Sequence, residues 1–225
     1  MLKPPASLNR RPLRSRDSPW AHALAERLVA WGVAPDTVSA AGLAIALAGG
    51  AALAASGLAP VGARPALLLA AAVAMQLRLI CNLLDGMIAI EHGRAGPLGP
   101  VWNEAPDRLA DCALLVGAGY GAALAGAAWA EPLGWSAALF AVGTAYLREL
   151  GRALGFASDY GGPGSKPRRM HLLSLAAIAS GIEPLILPRG ATLGTGLAVI
   201  AAACILTLIL RTRRLARGLI SKAGA

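Results

Sequence analysis

Residues 82–107 read NLLDGMIAIEHGRAGPLGPVWNEAPD, and this stretch decides the fold. It opens in the polar end of one long apolar run and closes in the polar start of another. Arg78, Asn82, Asp85, Gly86 and Ala89 are spaced by three and four, so they share one helix face. Gly99, Asn103, Asp107 and Asp111 follow each other every four residues and form a second stripe. The short connection Glu91–Leu98 makes the two helices antiparallel neighbours. Helices joined this closely are expected to face each other, so the two stripes should converge.

Outward from this junction the chain is apolar. Of its 225 residues 56% are hydrophobic and only 15% charged, with a mean hydropathy of +0.58. Ordinary soluble domains carry about 25% charged residues. The net charge of +9 therefore does not describe a soluble nucleic-acid binder, and disorder is excluded by the amount of apolar surface. Cys81, Cys112 and Cys204 are scattered through apolar runs and read as small buried hydrophobes. A membrane-spanning helix needs about 20 mostly apolar residues. Six stretches qualify, roughly 37–57, 67–90, 98–127, 132–156, 170–187 and 191–212. The fold class is thus an all-α integral membrane protein with six transmembrane helices.

Basic residues set the orientation. They gather before the first span (Lys3, Arg10, Arg11, Arg14, Arg16), between the fourth and fifth (Arg152, Lys166, Arg168, Arg169) and after the sixth (Arg211, Arg213, Arg214, Arg217, Lys222). Arg94 lies between the second and third. Both termini are therefore expected in the cytoplasm. The basic N-terminal stretch is not followed directly by an apolar core, unlike a cleaved signal peptide. Residues 1–17 read as a basic tail and 18–33 as an amphipathic surface helix on the cytoplasmic side, with 37–217 forming the six-helix transmembrane domain. The surface helix starts at Ser18-Pro19, with a capping hydroxyl and a proline at the first helical position. Trp20, Leu24, Leu28 and Trp31 make its apolar face, and Gly32 and Pro35 break it from the first span.

Ionisable groups inside a membrane are costly and mark function. Convergent oxygen ligands with no His or Cys beside them suit a hard cation, Mg²⁺ or Mn²⁺. The same residues also suit a structural polar network, with Arg78 or Arg108 as the partner. Gly86 and Gly99 leave room for a ligand near the backbone. A second group lies in the fourth span and the loop after it. Arg148 and Arg152 stand one helical turn apart beside Tyr146, and the loop adds Gly162, Gly164, Lys166, Arg168 and Arg169. This basic, glycine-rich cup suits an anionic group such as a phosphate, and equally the ordinary excess of cytoplasmic charge. Glu183, near the outer end of the fifth span, reads as a helix-packing contact.

Residues 82–107 resemble the signature of the CDP-alcohol phosphotransferases, D-x-x-D-G-x-x-A-R followed by about eight residues and G-x-x-x-D-x-x-x-D. Asp85, Gly86, Ala89, Gly99 and Asp107 match it. Asn82 and Asn103 stand at two of its aspartate positions and Ile90 at its arginine, a pattern similar to a bacterial branch of the family. Six spans and an N-terminal surface helix extend the likeness over nearly the whole chain.

The resemblance implies transfer of a phosphatidyl or other phosphoalcohol group from a CDP-alcohol, such as CDP-diacylglycerol, to an acceptor hydroxyl. CMP is released, and the setting is phospholipid biosynthesis. It implies Asp107 as the catalytic base and Mg²⁺ or Mn²⁺ held by Asn82, Asp85, Asn103 and Asp107, with Glu104 and Asp111 as extra ligands. CDP would lie against Asn82, Asp85, Gly86, Ala89 and Gly99. The acceptor, an anionic or polar alcohol, would meet Arg148, Arg152, Lys166 and Arg168. It further implies a homodimer in the bacterial inner membrane with the site facing the cytoplasm. The two asparagines leave a second reading open, a weak or inactive protein that binds CDP-lipid without turnover. A small transporter is the third, against which the acids cluster at one membrane face and not at the midplane.

Overall fold

The computed structural model describes residues 17–94, 96–183 and 186–224; the expected basic tail lies outside them except for Asp17. Among the described residues the chain is all helical. Helix α1 spans Pro19–Ala30, α2 Pro35–Ser56, α3 Arg64–Ile90, α4 Gly99–Leu124, α5 Ala130–Ala153, α6 Lys166–Ser180 and α7 Ala191–Ala223. α2, α3 and α7 are long and apolar enough to cross a membrane. α7 reaches further than the sequence suggested. Its 33 residues measure about 50 Å at ~1.5 Å per residue, more than the ~30 Å of a bilayer's hydrocarbon. Its last turns therefore carry Arg213, Arg214, Arg217 and Lys222 beyond the apolar stretch.

The expectation that α3 and α4 face each other is corrected by the packing. α2 lies against both along its length, and α3 and α4 touch only sparsely. The reason is in the small residues of α2. A Cβ on Gly49 would come within 2.8 Å of Ala74 in α3, while one on Gly50 would collide with the Ala113 carbonyl of α4. In return, a Cβ on Gly117 would strike the carbonyl of Gly50, and one on Gly121 that of Leu53. Backbones this close need glycine on both sides, the usual device of helix packing in lipid. α5 packs on α4 and α7, α6 on α3 and α7, and α7 touches α4 as well, which closes the bundle. Leu68, Met75, Leu114, Leu115, Leu173, Leu197 and Ile200 fill its centre without exposure.

α1 docks on the end of α3 through Ala21 and Ala25, which are buried against Leu83, Leu84, Met87 and Ile88. Trp20 and Trp31 remain exposed. Ser18 begins the helix with its carbonyl, which accepts the N–H groups of Ala21 and His22, and its hydroxyl makes no capping bond. The break before α2 falls at Gly32, whose φ of +74° is in the left-handed region. At the opposite end of the bundle Glu183 is fully buried. It accepts hydrogen bonds from Arg64 at the start of α3 (3.0 Å) and from the backbone N–H groups of Gly190 (2.9 Å) and Thr192 (2.5 Å) at the start of α7.

Candidate active site

The two stripes meet at their ends near the α3–α4 connection. α3 presents Arg78, Asn82 and Asp85 on successive turns, and α4 presents Asp107 and Asp111. Arg78 donates to Asp107 Oδ1 across the gap. Lys166, the first residue of α6, sits between the helices, with Nζ 2.5 Å from Asp107 Oδ1 and 2.6 Å from Asn82 Oδ1. Asp85 is buried. Its Oδ2 accepts a 2.6 Å bond from Ser39 of α2, and its Oδ1 is buried with no hydrogen-bond partner. Pro106, inside α4, lacks the N–H that the Trp102 carbonyl would otherwise receive, one residue before Asp107.

The other expected ligands turn elsewhere. Glu104 receives Arg148 Nη2 at both carboxylate oxygens, 2.5 and 2.6 Å. Asp111 is buried against Arg169 at 2.5 Å. The side chain of Asn103 lies outside those described. Among the described residues no three His, Cys, Asp or Glu side chains come together in a way that could hold a metal ion. Gly86 and Ala89 are half-buried on α3, and a Cβ on Gly99 would meet no atom within 4 Å.

Next to Asp107, through its partners Lys166 and Arg108, opens a narrow cleft lined by Arg108, Thr144, Ala145, Arg148, Tyr160, Lys166, Arg169 and Arg211. Its five cations come from α4, α5, α6 and α7. Arg148 also stacks over the Tyr160 ring at 5.5 Å. Arg169 donates to the Gly164 carbonyl and to Thr144 Oγ1, and Arg211 to the Thr144 and Gly161 carbonyls. Two cations expected in the cup stand outside this lining. Arg152 is exposed and pairs with Glu149 at 2.6 Å, and Arg168 reaches the Gly162 carbonyl at 3.3 Å.

The loop glycines serve packing. A Cβ on Gly162, where φ is +118°, would come within 2.5 Å of the Thr207 side chain, and one on Gly164 within 2.7 Å of the α7 backbone. The loop is thereby pressed onto α7, where the Gly164 N–H donates to Thr207 Oγ1 at 2.8 Å. Sequence reasoning put Arg169 in the basic loop cup, which the cleft bears out in placing it on the lining, but took Arg211 for ordinary cytoplasmic charge and overlooked Ser39. Spacing carried no sign of Ser39, which depends on α2 lying between α3 and α4.

Solved structures share this fold. The phosphatidylinositol phosphate synthase of Mycobacterium tuberculosis (PgsA1) with CDP-DAG bound matches with a TM-score of 0.70 and 23% identity, over 88% of this chain and 94% of that chain. The same enzyme in complex with manganese and citrate matches with a TM-score of 0.70 and 23% identity, over 87% of this chain and 88% of that one. Its apo form matches at 0.67 and 23% identity, over 85% and 93%. At this identity the likeness is one of fold. No protein-family model matches the chain, and no curated protein matches it either.

Proposed function

We propose that this chain is a membrane-embedded CDP-alcohol phosphotransferase. It moves a phosphoalcohol group from a donor such as CDP-diacylglycerol to an acceptor hydroxyl and releases CMP. The observation that carries this reading is the cleft lined by five cations, two of which, Lys166 and Arg108, also face the buried carboxylate of Asp107. A diphosphate donor and an anionic acceptor both need fixed positive charge, and the transfer needs a carboxylate at the boundary between them. The shared fold supports the reading, since a neighbour of that fold was solved with CDP-DAG bound.

The acceptor hydroxyl gives its proton to Asp107 as its oxygen bonds to the donor phosphorus. The bond from that phosphorus to the CMP oxygen breaks, and CMP leaves with the electron pair. Arg148, Arg169 and Arg211 hold anionic oxygens by charge-assisted hydrogen bonds, while Arg152 and Arg168 steer from the rim. Gly86, Ala89 and Gly99 give the cytidine room, and Asn82 and Asp85 face the donor. The donor set fits one divalent cation. Magnesium-class ions take one or two carboxylates and complete their shell with phosphate oxygens and water. Asp85, with its buried and unpartnered Oδ1, is the residue that would hold it, since the Asn82 oxygen proposed beside it accepts from Lys166. Bound there, Mg²⁺ or Mn²⁺ supplies charge neutralisation of the diphosphate; a neighbour of the same fold was solved with manganese.

The six-span arrangement belongs to this proposal. Besides α2, α3 and α7, helices α4, α5 and α6 turn large apolar side chains outward, among them Leu109, Trp135, Leu139, Leu175 and Ile178. Such a belt is a liability in water and a requirement in lipid. The basic loops then put both termini and the site on the cytoplasmic face of a bacterial inner membrane. The resemblance adds a homodimer.

The deciding experiment is CMP release from CDP-diacylglycerol by the purified chain, with Mg²⁺ or Mn²⁺ and a panel of glycerol and sugar phosphates. Release that depends on both acceptor and metal, and stops with EDTA, is the expected result. Tight CDP-diacylglycerol binding without CMP release across the panel would instead favour the second reading, a lipid-nucleotide binder, to which the asparagine at position 82 already points.

A further inference from the structure

Lys166 occupies a place that helix stability does not explain. It is the first residue of α6, and the first turn of that helix holds Lys166, Arg168 and Arg169 with no acid. Cations at a helix N-terminus oppose the macrodipole. The side chain is nonetheless drawn inward, and its ammonium bridges Asn82 Oδ1 at 2.6 Å and Asp107 Oδ1 at 2.5 Å. We infer that Lys166 is a built-in cation of the active site, standing between Asn82 and Asp107 so that the site takes no more than one divalent metal. The inference rests on the phosphotransferase reading and names how this chain meets the donor's diphosphate.

Charge accounting agrees. The carboxylates of Asp85 and Asp107 are already matched by the guanidinium of Arg78, which donates to Asp107, and by the ammonium of Lys166, and Arg108 stands a further 3.6 Å from Asp107 Oδ2. The diphosphate of a CDP-alcohol carries two negative charges. One divalent cation cancels them, and a second would leave at least two positive charges unmatched in a buried site. A metal ion sharing Asp107 Oδ1 with the Lys166 ammonium would also be repelled at close range. The oxygen left for the single metal is Asp85 Oδ1, buried without a partner. Asn82 fits this division. A neutral amide oxygen accepts from an ammonium without adding charge, whereas an aspartate there would favour a metal in its place.

The test counts Mn²⁺ by electron paramagnetic resonance titration of the full-length chain in detergent, with and without CDP-diacylglycerol. The native chain should bind no more than one Mn²⁺; two per chain overturns the inference. The variant Asn82→Asp with Lys166→Gln should gain a second Mn²⁺, or tighten Mn²⁺ at least about tenfold, relative to Asn82→Asp alone. Equal binding by the double and single variants also overturns it. Lys166→Arg keeps the charge and should keep the native count, and the native count stands even if a variant misfolds. The Mn²⁺ count without nucleotide is independent of turnover. A native chain with one Mn²⁺ and no CMP release therefore sinks the phosphotransferase reading and leaves the role of Lys166 standing.

Discussion

Arg148 and Glu104 lock α5 to α4 at the edge of the cationic cavity, with Arg148 Nη2 at 2.5 and 2.6 Å from the two carboxylate oxygens. Glu149 adds a 2.9 Å bond to Arg148 Nε. The guanidinium is thus held by acids on one side and presents the cavity with positive charge on the other. Arg148→Ala should raise the acceptor KM by about 10–100-fold, the worth of a charge-assisted hydrogen bond. The kcat should fall less, because the contact is made in ground and transition states alike. Glu104→Gln keeps Arg148 in the cavity and should be milder. Steady-state CMP release against acceptor concentration decides; an unchanged KM in Arg148→Ala would remove Arg148 from the acceptor site.

Asp107 has the opposite profile. A general base acts on a proton in flight, so Asp107→Asn should lower kcat by roughly 10²–10⁴-fold. The amide keeps an oxygen for Lys166 and Arg78, so donor binding should survive far better than turnover. Single-turnover CMP release and equilibrium CDP-diacylglycerol binding separate the two. Parallel loss of both would make Asp107 a binding residue and no base.

The helices, their order and the polar stripes were legible in the sequence because apolar runs and a spacing of three or four are local signals. Spacing set Asp85 and Asp107 on those stripes, and the resemblance to the family signature singled them out. What spacing could not supply was the neighbour of each stripe. The short α3–α4 connection suggested direct pairing, but the glycines of α2 admit that helix between them and bring Ser39 onto Asp85. Arg169 was counted in the basic cup together with Arg168, while Arg211 looked like ordinary flanking charge, since nothing local distinguishes Arg169 from Arg168 or Arg211 from Arg213. Only the fold turns Arg169 and Arg211 inward. Glu183 read as a packing contact, and the structure gives it Arg64 and two backbone N–H groups at the start of α7.

The proposed cytoplasmic placement of the site can be checked by labelling. Pro60 and Ala157 are exposed at opposite ends of the bundle, whereas Ser165 is buried and a poor target. Pro60→Cys and Ala157→Cys should react with a membrane-impermeant maleimide from opposite sides of oriented vesicles, with Ala157→Cys on the cytoplasmic side. Reaction from one side only would contradict the six-span arrangement.

Gly117 and Gly99 should respond differently to added bulk. A Cβ on Gly117 would collide with the Gly50 backbone, while one on Gly99 meets nothing within 4 Å. Gly117→Val should therefore cost upwards of about 1–3 kcal/mol, the usual penalty of overpacking. Gly99→Ala should fold normally and weaken CDP-diacylglycerol binding, if the open space belongs to the donor. Thermal unfolding in detergent and ligand binding, measured on the same preparations, read both effects.

Glu183 should be the most sensitive stability position far from the site. It and Arg64 are a fully buried ion pair, and removing one member of such a pair costs about 3–5 kcal/mol because the other charge is stranded. The two losses are not equivalent. Arg64→Met leaves Glu183 with the Gly190 and Thr192 N–H groups of α7, whereas Glu183→Met strips those donors as well as Arg64 Nη2. Glu183→Met should therefore unfold at the lower temperature of the two. Glu183→Gln retains an acceptor oxygen and should fall between Glu183→Met and the native chain. The double variant Arg64→Met with Glu183→Met should recover part of the loss, because no charge is then stranded. Thermal unfolding followed by tryptophan fluorescence gives the order. A Glu183→Met chain as stable as the native one would show that the clamp between α3 and α7 is dispensable.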